Sequence, residues 1–569
     1  MLNNDGETNR NLILAIVLFF VFIFGYQYFF ERQQSSGEPV QQTERQEQQP
    51  KLEEAGAASS EPTVTVAEAL AKETRVYIEN EKVKVSIDLQ GGVIDTVILK
   101  EHKKTADKGS ENVNILCPRM TENEFYHTVS YSAKDNDLNI GKETLWEVVS
   151  NAGGAITMKT QSANDDVVVE RKVSIDDGYM IEIKDSFINN SDRSLKLINS
   201  SDLIRKNPLI NDYAVVHEGL VGINCNTDCK VKNIAYKKIE SAKVEAGQSK
   251  WFGFTDIYWL ISFVNTDNSF ISYSMPSDNT YKISLRAKTA LDIGSSSSLE
   301  VRYCLFAGPK DLSVLNKYKT SCEIDRFDMS IDFGWFFMLT KPLLSVLDVM
   351  AKIFNNMGVI ILLLTLVFKF ATYPLTKKSL YSAARMKEVQ PKIAIIQKNY
   401  ANDKERLNKE LMALYKKEQI SPMSGCLPML LQVPIFFCLY KVFFISIEMR
   451  HAPLFWWIKD LSSPDPVFIT NLFGLIKWTP PGWLQIGIWP IIMGLSMFIQ
   501  QKLSTAKSKT GAPKAQEAKF QENMMYIFPI MLTYMFKNFP VGIVVYWTIS
   551  NVISMIQQWY VNKSIKKKA

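Results

Sequence analysis

Lys369 is singled out by its surroundings. It lies in NMGVIILLLTLVFKFATYPLTKK, eight residues before Lys377. At 1.5 Å of rise per helical residue, that places it roughly 12 Å inside this end of an apolar helix. A lysine near the centre of a membrane span costs roughly 2.5–3.5 kcal/mol on insertion scales. Its stem can snorkel over part of that distance. The functional alternative is a water-filled cavity with Lys369 on its wall and Thr365, four residues earlier, on the same face. No Asp or Glu lies in any apolar run of the C-terminal half. Lys441 is the one other cation inside such a run, Lys537 standing at the very end of its own, and the place of Lys441 near an end lets it reach outside water. A hydrated, unpaired cation attracts anionic groups on a passing partner.

Other chemistry is sparse. The seven Cys are scattered, which argues against a zinc ribbon or finger. None of the four His (His102, His127, His217, His451) has a helical i,i+4 His partner, so no metal site is expected. Cys225 and Cys229 (CNTDC) can bridge in an oxidising compartment or stay as thiols, and both remain open. No G-x-x-x-x-G-K-[ST] phosphate cradle occurs. The net charge of +6, from 65 basic and 59 acidic residues, is too balanced for a dedicated nucleic-acid binder, so no DNA partner is expected. The expectation is a protein that is not an enzyme and needs no cofactor.

The 569 residues are too many for one core. Residues 1–11 precede an uncharged apolar run at 12–30. It spans roughly 28 Å as a helix, enough to cross a bilayer. Glu31 and Arg32 follow instead of a small-residue cleavage site, so an uncleaved anchor is expected. Residues 31–75, rich in Gln, Glu, Pro, Ala and Ser, read as a disordered tether. From 76 to 325 the pattern has period two. Val83, Val85, Ile87 and Leu89 alternate with Lys84, Ser86 and Asp88, and Gly91-Gly92 then turns the chain into VIDTVIL. VVVERKVSI, YMIEIKDSFI and SLEVRYCLF continue it. Such strands indicate an antiparallel sandwich, read as a scaffold before a sugar- or peptide-binding groove. Lys310 to Glu323 reads as a closing helix.

Residues 331–355 follow as an amphipathic helix lying in the outer interface. Lys341, Ser345, Asp348 and Lys352 share one face, and Pro342 suits the first turn. Five more apolar runs occupy 357–376, 426–447, 483–500, 523–537 and 541–560. The segment 377–424 carries eleven Lys/Arg and 501–522 carries five Lys, whereas 448–482 has three basic residues. The tail 561–569 is basic. Basic loops stay cytoplasmic. Six spans then alternate, with both termini inside and residues 31 to about 330 outside. The fourth and fifth spans are short, which predicts a locally thin bilayer.

Residues 377–425 read as a cytoplasmic hairpin, with helices at 379–399 and 403–418. Met386, Val389, Ile393 and Ile396 form one apolar stripe, and Leu407, Leu411 and Leu414 the other. Asn402 with Glu405 resembles a capping box. The basic outer faces, including Arg385, Lys387, Lys392 and Arg406, suit ribosomal RNA, anionic lipid head groups or a targeting factor. The break at 421–425 lets the hairpin swing.

Several segments carry a resemblance: TLVFKFATYPLTKKS, QPKI at 390–393, LMALYKKEQISPMSGCLPMLLQVPIFF, FPVGIVVYWTISN and IQQW. As an ordered set over about 330–560 they are similar to the YidC/Oxa/Alb family of membrane protein insertases. DLQGG and SIDDGYM resemble that family's Gram-negative periplasmic domain. The resemblance implies a polytopic α-helical inner-membrane protein with six transmembrane helices and a five-helix insertase core. It further implies an all-β periplasmic super-sandwich like that of sugar mutarotases. The core would hold a hydrophilic groove open to cytoplasm and lipid. Its cation is usually Arg, so Lys369 keeps the charge without bidentate pairing. A substrate slide falls by motif on Val433, Phe436, Met535, Phe539 and Trp547, with Thr365 beside the groove. The partners implied are nascent membrane proteins, the ribosome mainly through the hairpin, the Sec translocon and anionic phospholipids. The short tail argues against strong tail-mediated ribosome binding. A transporter or channel is the rival reading. It calls for mid-membrane polar pairs or broken helices in related halves, and neither is found.

Overall fold

Gly91 and Gly92 turn the chain between strands Val83–Asp88 and Val93–Lys103. Both lie in the left-handed region, at φ 88° and 59°. A Cβ on Gly91 would meet the Lys142 carbonyl oxygen at 2.7 Å, and one on Gly92 the Arg171 guanidinium at 2.8 Å, so only glycine fits. The computed structural model describes residues 64–566. It excludes 72–73, 108, 134–137, 163–165, 210–215, 225–229, 240–244, 265–268, 278, 288, 401–402, 419–426, 479 and 505–515. The anchor at 12–30, Cys225 with Cys229, and the break at 421–425 therefore lie outside the described residues.

Two antiparallel sheets, one eleven-stranded and one nine-stranded, form the β domain. The long strands Phe125–Ala133 and Leu195–Lys206 pair in the first, as do Met180–Asn189 and Ser298–Pro309 in the second. Val85, Ile87, Val97, Leu203, Phe254, Phe263 and Leu305 are buried in the core. Helix α1 (Val66–Leu70) falls within the stretch whose composition reads as a tether. Thr65 and Glu68 cap it reciprocally, and the Arg75 guanidinium holds its Ala69 carbonyl. The predicted alternation over 83–89 is only half of the pattern, because Ser86 and Asp88 are buried as well.

Asp311 caps helix α2 (Leu312–Ser321), which closes the domain. Helix α3 (Phe337–Ile353) starts several residues before Pro342, so that proline is interior and not in the first turn. Leu343, Leu344 and Leu347 of α3 are buried, while Met338, Val346, Val349 and Ile353 are exposed. Helix α4 runs unbroken from Met357 to Asn399, where the sequence suggests two separate helices. Its polar length carries no glycine after Gly358, and helix-favouring residues dominate the junction at 377–388. Helix α5 (Lys404–Lys417) is capped by Asp403, whose carboxylate accepts from the Arg406 N–H at 3.0 Å; Asn402 lies outside the described residues. Helices α6 (Leu427–Ile445), α7 (Ile488–Ser504), α8 (Gln516–Met535) and α9 (Val541–Lys566) follow. Residues 483–487 fall outside α7, because Asp465 accepts from the Trp489 N–H at 2.8 Å and fixes the helix start there. By length and composition, one described helical stretch, Met357–Met386, can cross a membrane, and Gln432–Ile445 is a shorter apolar one.

The described residues divide into two compact units, one drawn from 64–383, 427–504 and 516–566, the other from 384–418.

Candidate functional site

α4 and α9 bring polar groups together around Lys369. Its ammonium is half-buried and donates to the Ser554 hydroxyl at 2.8 Å. The Gln557 amide, one turn further along α9, donates to the Lys369 carbonyl at 3.4 Å. Gln557 Oε1 is buried with no partner among the described residues. No carboxylate comes within ion-pair distance of Lys369 among the described residues. Thr365 is fully buried, and its hydroxyl donates to the Ile361 carbonyl of its own helix at 2.6 Å. It therefore forms wall beside the cation and leaves Lys369 to Ser554. Further polar links join the surrounding helices. Gln432 donates to the Tyr546 hydroxyl at 3.0 Å, and Asn551 to the Ser496 hydroxyl at 2.8 Å. Ser554 and Gln557 were not anticipated from the sequence. The signal was present, since Asn551, Ser554 and Gln557 recur every three residues and so line one side of a helix.

Of the five positions expected of a slide, Val433 and Phe436 lie on α6, Met535 ends α8, Phe539 follows the turn Phe536–Asn538, and Trp547 lies on α9. Phe436 packs edge-on against Trp547 at 5.1 Å and Phe536 at 5.9 Å between centroids. Phe539 lies 4.6 Å from Phe536 and 5.1 Å from Tyr440, and Tyr440 stacks on Phe436 at 6.0 Å. Phe436, Phe539 and Trp547 thus share one aromatic cluster, through Phe536 and through Tyr440, which the motif comparison missed. Met535 is half-buried against the same core, and Val433 is half-buried on α6. The exposures leave the cluster between core and surface, as an adaptable apolar track requires.

Lys441 corrects an expectation. It does not reach water but is buried, at 6% exposure, and its ammonium meets Asp332 Oδ2 at 2.7 Å. Asp332 also accepts from the His217 N–H at 3.1 Å and the Gly334 N–H at 3.1 Å, tying α6 to the β domain. Burial raises the Asp332 pKa, but Lys441 and these N–H groups outweigh it and hold the carboxyl below its usual value. Asp328 likewise bridges Lys319 at 3.0 Å and Lys341 at 2.5 Å.

In the hairpin, Lys392 pairs with Glu418 at 2.7 Å, and Arg406 lies 5.8 Å over the Tyr400 ring. Both cations are exposed, as is Arg385; the Lys387 side chain lies outside the described residues.

The comparisons with known proteins follow this division. Residues 75–346 match the YidC periplasmic domain, and residues 349–568 match the family described as 60Kd inner membrane protein. A protein of Rickettsia rickettsii (strain Iowa) named membrane protein insertase YidC is 35% identical over 570 residues, covering 97% of this chain and 99% of that one. One of the same name from Rickettsia prowazekii (strain Madrid E) is 36% identical over 575 residues, again covering 97% and 99%. A solved structure titled as an active YidC insertase with its first transmembrane domain resolved is 16% identical. It covers 86% of this chain and 93% of that chain, with a TM-score of 0.37. With both halves of the chain matched in order and full-length relatives above a third identical, the chain belongs to the YidC family of membrane protein insertases.

Proposed function

We propose that this chain is a membrane protein insertase and chaperone of the bacterial inner membrane that uses Lys369 as the polar foothold of its groove. Both termini face the cytoplasm, the β domain lies outside, and six helices span the bilayer, including the segment 12–30. The polar flank of a nascent span enters beside Lys369 and exchanges with the Ser554 hydroxyl. That shortens its path through hydrocarbon. The apolar part of the span moves out along Phe436, Phe539 and Trp547 into lipid, with Val433 and Met535 beside them. Burying about 20 apolar residues is itself downhill, so the protein has only to lower a barrier, and no bond is made or broken. The basic hairpin, through Arg385, Lys387, Lys392 and Arg406, meets the ribosome and anionic lipid, and the Sec translocon works beside it.

The observation that carries this reading is a cation in an apolar helix whose described partner is a neutral hydroxyl. A hydrogen bond from a cation to a neutral hydroxyl contributes about 1.5–3 kcal/mol net, and a carboxylate adds a second charge to the same contact, so an acidic group on an arriving chain competes for the ammonium. The test is Lys369→Glu in cells depleted of any other copy. Insertion of single-span substrates with acidic exported tails should fall tenfold or more, on the order of 1.4 kcal/mol. Normal insertion would remove the role of the charge. Photo-crosslinkers at Phe436 and Phe539 should capture ribosome-bound nascent membrane proteins.

A further inference from the structure

Between α6 and α7 the chain makes a loop whose composition suits neither water nor a protein core. Residues 466–476 carry no charge, and Lys477 ends the run. Leu472, Phe473, Ile476 and Trp478 are exposed, and Leu475 is 82% exposed. Trp483 nearby is exposed too.

This loop is a built feature. At its base, buried Asp465 accepts from the Trp457 indole at 3.0 Å and from the Val467 N–H at 3.1 Å. A Cβ on Gly487 would meet the Asp465 side chain at 2.5 Å, so the two strands of the base close tightly there. Phe468 bridges Gly487, and the Thr470 hydroxyl donates to the Leu484 carbonyl at 3.1 Å. At the tip, Leu472 and Phe473 both adopt the left-handed conformation, at φ 49° and 61°, which is costly for residues with side chains. That conformation turns a run of apolar side chains outward.

The tip's backbone donors identify the surroundings. The Phe473 N–H donates to the Phe468 carbonyl at 3.1 Å, and the Gly474 N–H to the Asn471 side chain at 3.0 Å. Those of Leu475, Ile476 and Trp478 donate to the carbonyls of Leu472, Asn471 and Ile476 at 3.1, 3.2 and 2.8 Å. A loop tip in water can leave such groups to solvent, and one that docks on a protein strand offers them to its partner. Hydrocarbon demands that they be satisfied within the segment.

We propose that residues 466–478 form a rigid apolar finger that dips into the bilayer leaflet on the β-domain side. That side is set by neighbouring contacts, since Lys459 pairs with Asp107 at 3.3 Å and Arg450 donates to the Lys104 carbonyl at 3.1 Å. Leu472, Phe473 and Leu475 enter the acyl region, roughly 5–10 Å deep as for other interfacial segments. Lys477 snorkels to the phosphates, and Trp478 and Trp483 sit at head-group level. The finger lies beside the start of α7 and pins the leaflet there. The inference rests on the reading that α4 and α6–α9 span the membrane.

The test is site-directed spin labelling of the full chain with its native cysteines replaced. Leu475→Cys carries the nitroxide, in nanodiscs of phosphatidylethanolamine and phosphatidylglycerol. Val367→Cys, exposed on α4, is the lipid reference, and Val149→Cys, exposed on the β domain, the water reference. The ratio of collisions with oxygen to collisions with a nickel chelate should be severalfold higher at position 475 than at 149, and close to that at 367. A ratio like that at 149 overturns the proposal in favour of water. Suppression of both collisions overturns it in favour of a protein cover. A water-like position 367 overturns the spanning reading and this proposal with it. If Leu475→Cys fails to fold, Ile476→Cys repeats the measurement one residue along.

Discussion

The arginines buried in the β domain and Lys369 of the helical region have different partners. In the sandwich, Arg171 is 1% exposed and forms a fork to Asp185 at 2.7 and 2.8 Å, with the Tyr131 hydroxyl on the same carboxylate at 2.6 Å. The Trp146 ring covers its guanidinium at 4.5 Å. Arg75 with Asp95, and Arg205 with Asp256, repeat the fork. Such a charge is fully engaged and has nothing to offer a visitor. Lys369 in α4 has a hydroxyl instead, and a compact ammonium keeps further donors to spare. The contrast teaches that burial alone does not mark a site. The chemistry of the partner separates a structural cation from an available one.

The largest effect should come from breaking a fork. Asp185→Ala leaves Arg171 buried and uncompensated, which costs about 3–5 kcal/mol. Urea unfolding of the full chain, followed by far-ultraviolet circular dichroism of the strand-rich transition, should show that loss. Lys369→Met in the same assay should leave the midpoint unchanged or raised, because it removes a charge that lacks a carboxylate. Equal losses from the two substitutions would erase the distinction.

A smaller effect follows from making Lys369 resemble Arg171. Ser554→Asp places a carboxylate within reach of the ammonium and converts the available cation into a paired one. Insertion of substrates with acidic tails should fall severalfold, while the protein still accumulates in the membrane. Ser554→Ala should preserve insertion under the proposed reading, in which the hydroxyl only holds the ammonium between visits. If Ser554→Asp inserts as well as the unaltered chain, the identity of the partner is irrelevant.

The two regions also differed in how far the sequence announced them. Gly91-Gly92, the alternation from Val83 and the helix capped by Asp311 are local signals, and the structure has a turn, strands and a helix in those places. The burial of Ser86 and Asp88 was hidden, because the covering group, Arg75, acts across the sheet through Ser86 and Asp95. Lys369 stood out because a charge in an apolar run needs no knowledge of contacts. Its partner Ser554 is 185 residues away, and no local pattern links the two. The same distance hid the Lys441–Asp332 pair, 109 residues apart. Phe436, Phe539 and Trp547 were reachable through motifs, whereas Tyr440 entered the cluster only through packing.

The smallest effect concerns Lys441, the helical cation that the β-domain rule does govern. Its carboxylate, Asp332, has a folded pKa below the ordinary value. Such a group adds stability above its unfolded pKa, near 3.9, and loses it as pH falls through the lower folded value. The full chain should therefore melt higher than Asp332→Asn at pH 7. The gap should hold down to about pH 4 and close below it. Burial raises the Asp328 pKa, but Lys341 and Lys319 outweigh it and hold that carboxyl below its usual value too. It is present in both proteins, so the difference between them isolates Asp332. A gap that persists at the acid end would mean that Asp332 stabilises by accepting from the His217 and Gly334 N–H groups and not through charge. Lys441 would then belong with Lys369, and the rule would mark a boundary inside the helical region.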